Sequence, residues 1–81
     1  MDIDNLNAMI GDEIRVARAR RKLSRAALAE ASGLSPKTVQ RIENGERPAD
    51  VSQMAAICGA LNESIVALVE RAVTRADDFP K

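Results

Sequence analysis

The 81-residue chain has no Trp, no Tyr and no His, one Phe and one Cys. Each shortage excludes something. Without aromatic bulk the core must be aliphatic, built from Leu, Ile, Val, Ala and Met. A lone Cys58 excludes an internal disulfide, and the absence of His removes the usual partner for a protein-built zinc site, so no metal and no cofactor are expected. There is no pairing of nucleophile with base and no Gly-rich phosphate loop, so the chain does not read as an enzyme. Only four Gly and three Pro interrupt it, and no alternating apolar pattern is sustained, which points to an all-α fold. No apolar run approaches the ~20 residues that cross a bilayer. The start, MDIDNLNAMI, lacks the basic and apolar regions of a signal peptide. The expectation is a cytoplasmic protein with no membrane partner. The length suits one small domain over 1–81, with a core at about 10–76 and frayed ends.

Net charge is also lacking: twelve Lys and Arg balance twelve Asp and Glu. The distribution is uneven. Residues 15–47 carry nine basic against three acidic side chains, a net +6, while residues 1–14 carry −4 and residues 48–81 carry −2. A basic middle between acidic ends gives a local face that phosphates can sense despite overall neutrality.

What is present is concentrated in residues 24–45, SRAALAEASGLSPKTVQRIENG. Leu28 and Ala29 precede Gly33 by five and four residues; Val39 and Ile42 follow it by six and nine. The spacing describes two short amphipathic helices meeting at a tight corner. Ala29 is small where they cross, and Gly33 supplies the positive φ of the corner. Val39 and Ile42 form the buried stripe of the second helix, which leaves its other face free to enter a DNA major groove.

Five helices are expected. Helix one covers about residues 4–21, with Asp4 as its cap; Leu6, Met9, Ile10, Ile14 and Ala17 follow helical spacing, and Gly11 weakens its middle enough that order could begin only near Ile10. Helix two follows Ser24 to about Ser32. Helix three has Ser35 at the N-cap and Pro36 at the first helical position, and ends at Asn44-Gly45. Helix four, about 51–60, buries Val51, Met54, Ala55, Ile57 and Cys58. Helix five runs from about Ser64 to Ala76. Ile65, Leu68, Val69 and Ala72 fit its core face. A further apolar strip at Val66, Val69, Val73 and Ala76 exceeds what one packing face needs and marks a partner surface.

The segment from Ile10 to Leu68 resembles the Cro/CI-type, or XRE, family of helix-turn-helix proteins. The resemblance rests on Arg15-Val16-Ala17-Arg18, on Ser24-x-x-x-Leu28-Ala29, on Gly33-Leu34-Ser35, and on Ile42-Glu43-Asn44-Gly45. It implies a five-helix, lambda-repressor-like DNA-binding domain whose helix-turn-helix is helices two and three, with helix three in the major groove of a double-stranded DNA operator. It also implies use as a dimer, which makes the apolar strip of helix five the expected interface of a homodimer. It places base contacts at Pro36, Lys37, Gln40 and Arg41. Pro36 offers no amide, only apolar contact; Arg41 can pair with guanine O6 and N7, and Gln40 with adenine N6 and N7. Phosphate contacts are implied for Ser24, Arg25, Thr38, Asn44 and Arg47, with an anion favoured at the start of helix two. Relatives commonly carry Gln at the Arg25 position; arginine keeps the phosphate contact, but the resemblance does not carry the usual bridge to helix three over to it. Glu46 stands where Lys or Arg is common. Arg18 and Glu43 match residues that form a partly buried ion pair. The functional expectation is a transcription regulator, a repressor by default. The alternative is an antitoxin or anti-repressor in which the same bundle binds another regulatory protein through helix five or the acidic ends. Asp2 and Asp4 argue against an N-terminal arm on DNA.

Overall fold

A computed structural model describes residues 1–78; the last three residues of the expected domain, including Lys81 of the charge count, lie outside the described residues. Five helices follow one another: α1 Ile3–Arg20, α2 Arg25–Ser32, α3 Pro36–Glu43, α4 Val51–Leu61 and α5 Ile65–Asp78. Among the described residues no single helix is long and apolar enough to cross a membrane.

Helix α1 starts earlier than its sequence suggests. Asp2, not Asp4, is its N-cap: Oδ1 accepts from the amides of Asp4 at 2.9 Å and Asn5 at 3.2 Å. Residues 3–10 are thus part of the helix rather than an arm. Nor does Gly11 delay helix formation. It is buried, and a Cβ added there would lie 2.3 Å from the Ile42 carbonyl oxygen and 2.5 Å from that of Glu43. Glycine marks the point where α1 crosses the end of α3, a tertiary requirement that outweighs about 1 kcal/mol of lost helix propensity.

The remaining starts follow local capping chemistry. Ser24, Ser35 and Ser64 each accept from the amide three residues on, and Asp50 with Gln53 forms a reciprocal capping box opening α4. Gly33 ends α2 at φ +75 with open space around it, so backbone conformation alone calls for glycine there.

Ile14, Leu28, Val39, Ile42, Ile57, Cys58, Leu61 and Leu68 are the fully enclosed core. Each such aliphatic side chain contributes about 2 kcal/mol of burial. Burial pushes the Cys58 thiol up, with the Glu63 charge adding to it, as suits a small apolar filler rather than a reactive group. In α4 the buried stripe is Met54, Ile57, Cys58 and Leu61, spaced i, i+3, i+4, i+7. Val51 and Ala55, expected inside, are exposed: Val51 is the first residue of α4, at the edge of that stripe, and Ala55 falls outside it.

In α5 the stripe is Leu68, Ala72 and Ala76, against an expected Ile65, Leu68, Val69 and Ala72. Two alanines let α5 lie close along α1, its main neighbour, and the Asn5 amide donates to the Ala76 carbonyl at 3.1 Å. Ala76, 1% exposed, is therefore part of the α1–α5 seam and is withdrawn from the expected homodimer surface. Ile65 and Val69 are half-buried.

An ion network along this seam had no sequence signal. Arg71 donates to Glu13 at 2.9 Å and to Glu63 at 2.7 Å; Arg75 reaches Glu13 at 3.0 Å and Asp12 at 2.8 Å; Arg15 also pairs with Asp12. Burial pulls the Asp12 and Glu13 carboxyls upward. The hydrogen bonds and charges of Arg15 and Arg75 at Asp12, and of Arg71 and Arg75 at Glu13, outweigh it and hold both below their ordinary values of 3.8 and 4.5. A depressed folded pKa gives stability that is complete above the unfolded value and is lost as pH falls through the folded one. Below pH 4.5 the melting temperature of wild type is expected to fall more steeply than that of Glu13→Gln, which is less stable at neutral pH. Parallel curves of melting temperature against pH would refute this role for the network.

Candidate nucleic-acid interface

Helices α2 and α3 pack on each other across the Gly33 corner, where the Leu34 amide donates to the Ala29 carbonyl at 3.0 Å. Ala29 is 1% exposed, so the contact leaves no room for a larger side chain. Burial of Val39 and Ile42 fixes the rotation of α3. The opposite face then follows from helical geometry: Pro36, Lys37, Gln40 and Arg41 are all exposed. Among the described residues, the Lys37, Gln40 and Arg41 side chains have no protein partner. One neutral donor–acceptor group and two cations are held out on a two-turn helix with their hydrogen-bonding capacity unspent. Together with Glu46 they line a shallow polar depression.

The residues expected to touch phosphate fall into four situations. Ser24 and Arg25 open α2. The Ser24 hydroxyl oxygen accepts from the Ala27 amide at 3.0 Å, leaving its O–H free to donate, and the Arg25 and Ala26 amides face outward as in any first helical turn. Thr38 accepts from the Ser35 hydroxyl at 2.9 Å within the α3 cap. One N–H of the Asn44 side-chain amide is turned back to the Glu46 carboxylate at 3.1 Å and orients it, and the second N–H is left to offer a phosphate. Arg47 is partly exposed with no protein partner among the described residues.

Beneath this surface lies a charged knot. Glu43, whose side chain is fully buried, receives Arg18 Nε at 2.7 Å and Arg18 Nη2 at 3.1 Å. Arg18 Nη1 donates to the Leu23 carbonyl at 2.9 Å. Arg25 Nε also reaches Glu43, at 3.0 Å. The arrangement is a triad joining α1, α2 and α3, and it gives Arg25 a bridge to α3 that the sequence did not promise. One signal could have revealed it. A cation in the first turn of a helix opposes the helix dipole, and a nearby carboxylate resolves the conflict. With its ε nitrogen held, Arg25 still has its terminal nitrogens, on a side chain 39% exposed, to offer an anion.

Away from this face, Val66 is exposed and, with half-buried Ile65 and Val69 and with Glu70, borders a shallow apolar depression on α5. Val73 is half-buried. The acidic ends are less available than composition implied, since Asp12, Glu13 and Glu63 are all ion-paired within the fold.

Residues 14–68 match the family model described as helix-turn-helix. Among solved structures, the chain is similar to the clp gene regulator ClgR from C. glutamicum, with a TM-score of 0.81 and 28% identity, over 86% of this chain and 91% of that one. It is similar to the restriction-modification controller protein C.AhdI from Aeromonas hydrophila at a TM-score of 0.75 and 27% identity, over 76% and 94% of the two chains. It also matches part of the competence regulator ComR from Streptococcus vestibularis at a TM-score of 0.75 and 26% identity, over 80% of this chain and 22% of that larger one. No curated protein matches it by sequence.

Proposed function

Because the chain belongs to the helix-turn-helix family of Cro/CI (XRE) type, and is a DNA-binding transcription regulator, we propose that it is a repressor that acts as one such domain, binding a palindromic operator as a homodimer with α3 in the major groove. The observation that carries the reading is the exposed face of Lys37, Gln40 and Arg41, opposite the buried Val39 and Ile42 and free of protein partners among the described residues. Arg41 pairs with guanine, Gln40 with adenine, Lys37 reaches a base or a phosphate, and Pro36 makes apolar contact with a thymine methyl. Ser24, Arg25, Thr38, Asn44 and Arg47 set the register on the backbone. The strip of Val66, Val69 and Val73 on α5 is offered to a second copy, and a small dimer over a promoter acts by occluding polymerase. Such a protein works where the DNA is, in the cytoplasm.

The test is selection of bound duplexes from a random library at moderate salt, with wild type and Arg41→Ala in parallel. A palindromic consensus is expected, and Arg41→Ala is expected to bind about 1–3 kcal/mol more weakly and to relax one guanine preference. An equal loss on all sequences would reassign Arg41 to phosphate. The exposed apolar α5 surface also favours a second reading, in which the bundle docks on another regulatory protein. Failure of the folded protein to enrich any duplex, with a protein partner retained on Val66-bearing but not Val66→Glu bait, would favour it.

A further inference from the structure

We propose that Glu46 is a specificity-determining residue that reads the exocyclic amine of a cytosine beside the base contacted by Arg41; the inference rests on α3 being the DNA-reading helix. Glu46 lies three residues past the end of α3, yet it is not a loosely tethered loop side chain. Gly45, at φ +72, turns the chain back, and the Glu46 amide donates to the Arg41 carbonyl at 2.9 Å, which ties the residue to the last turn of the helix. The Asn44 amide donates to Glu46 Oε2 at 3.1 Å, so the carboxylate is oriented while Oε1 keeps its lone pairs. The side chain then borders the same depression as Lys37, Gln40 and Arg41, and among the described residues it forms no ion pair with either cation.

The chemistry of that depression is asymmetric. Lys37 and Arg41 only donate, Gln40 does both, and an ionised Glu46 only accepts. In the major groove guanine presents two acceptors, thymine an acceptor and a methyl, and adenine an N6 donor beside its N7 acceptor, whereas cytosine presents only a donor, at N4. A fixed carboxylate is repelled by guanine O6 and N7, by thymine O4 and by adenine N7, so it selects cytosine as much by rejection as by attraction. It also stands beside phosphates, where it lowers affinity for all DNA. The carboxylate's only favourable use on that surface is a base-edge amine.

The experiment selects duplexes with wild type, Glu46→Gln and Glu46→Ala, then measures binding to the wild-type consensus and to the same duplex with the chosen cytosine replaced by 2-pyrimidinone, which lacks the N4 amine. Glu46 is exposed, so helical content and melting temperature should match wild type and serve as the folding check. Removal of the amine is expected to weaken wild type about tenfold and Glu46→Ala not at all, with cytosine enrichment at that position lost in Glu46→Ala and relaxed in Glu46→Gln, whose amide can accept from the amine but also donate to base acceptors. If both variants keep the wild-type consensus and merely bind every duplex more tightly, Glu46 only repels phosphate and the inference is overturned while the reading of α3 stands. If folded wild type enriches no duplex, the reading of α3 fails and the inference with it.

Discussion

Replacing Gly11 with alanine is expected to destabilise the protein by about 3 kcal/mol, even though Gly→Ala inside a helix ordinarily stabilises by about 1 kcal/mol. The sign is decided by what the new methyl would meet. It would lie 2.3 Å from the Ile42 oxygen, 2.5 Å from the Glu43 oxygen and 2.9 Å from the Glu43 carbonyl carbon. These are backbone atoms, not side-chain ends that can rotate away. The crossing of α1 over α3 must open, and the Glu43 carboxylate moves with it. For a domain of this size a loss of that order lowers the melting temperature by roughly 12–24 °C. Because the end of α3 is displaced, operator affinity should fall as well. A thermal melt of Gly11→Ala at or above wild type would show that the two helices do not meet this closely.

The second large effect is expected at Arg18. Its removal leaves a fully buried carboxylate with only Arg25 beside it and strips the Leu23 carbonyl of its donor. Breaking a buried pair from one side costs about 3–5 kcal/mol, most of it the desolvated charge left behind. Arg18→Ala should therefore approach the limit of what so small a domain tolerates. Arg25→Ala should cost far less, about 1 kcal/mol, since that side chain is 39% exposed and solvent screens its pair. The double variant Arg18→Met/Glu43→Met separates charge from packing: it should recover much of the stability lost in Arg18→Ala, because no uncompensated carboxylate remains inside. Urea unfolding of the set provides the comparison. Equal midpoints for Arg18→Ala and Arg25→Ala would contradict the geometry, and a double variant no better than Arg18→Ala would mean that shape rather than charge holds the knot.

The triad also links stability to recognition. Glu43 is the last residue of α3, one turn from Gln40 and two residues from Arg41, and its ligands come from α1 and α2. The exposed side chains of α3 are thus held in place from behind by a charge cluster rooted in α1 and α2.

Much of this was legible in the residues themselves, and the division has a physical basis. Helix starts are set by one side-chain oxygen and an amide two or three residues away, so Ser24 and Ser35 could be read directly, while at α1 two aspartates two residues apart offered the same chemistry and Asp2 rather than Asp4 took the cap. The corner is equally local, since φ +75 at Gly33 depends on no distant neighbour. Once Val39 and Ile42 are buried, the outward face of α3 follows from the helical repeat, while the choice of contact positions on that face came from the family resemblance. Relations between distant segments had no such local signature, and the Arg18–Glu43 pair was anticipated only through the family resemblance. Gly11 looked like a weak point because the chain does not say what crosses it. Ala76 looked like spare apolar surface because nothing in α5 shows that α1 covers it, and Val51 looked like core because nothing in α4 shows where its neighbours end. Arg25 could be assigned to phosphate but not to Glu43, eighteen residues on. Capping, turns and amphipathic phase are decided within a few residues and so belong to the sequence; which face is covered, which charge is paired and which glycine is irreplaceable depend on helices meeting, and only the tertiary structure decides them.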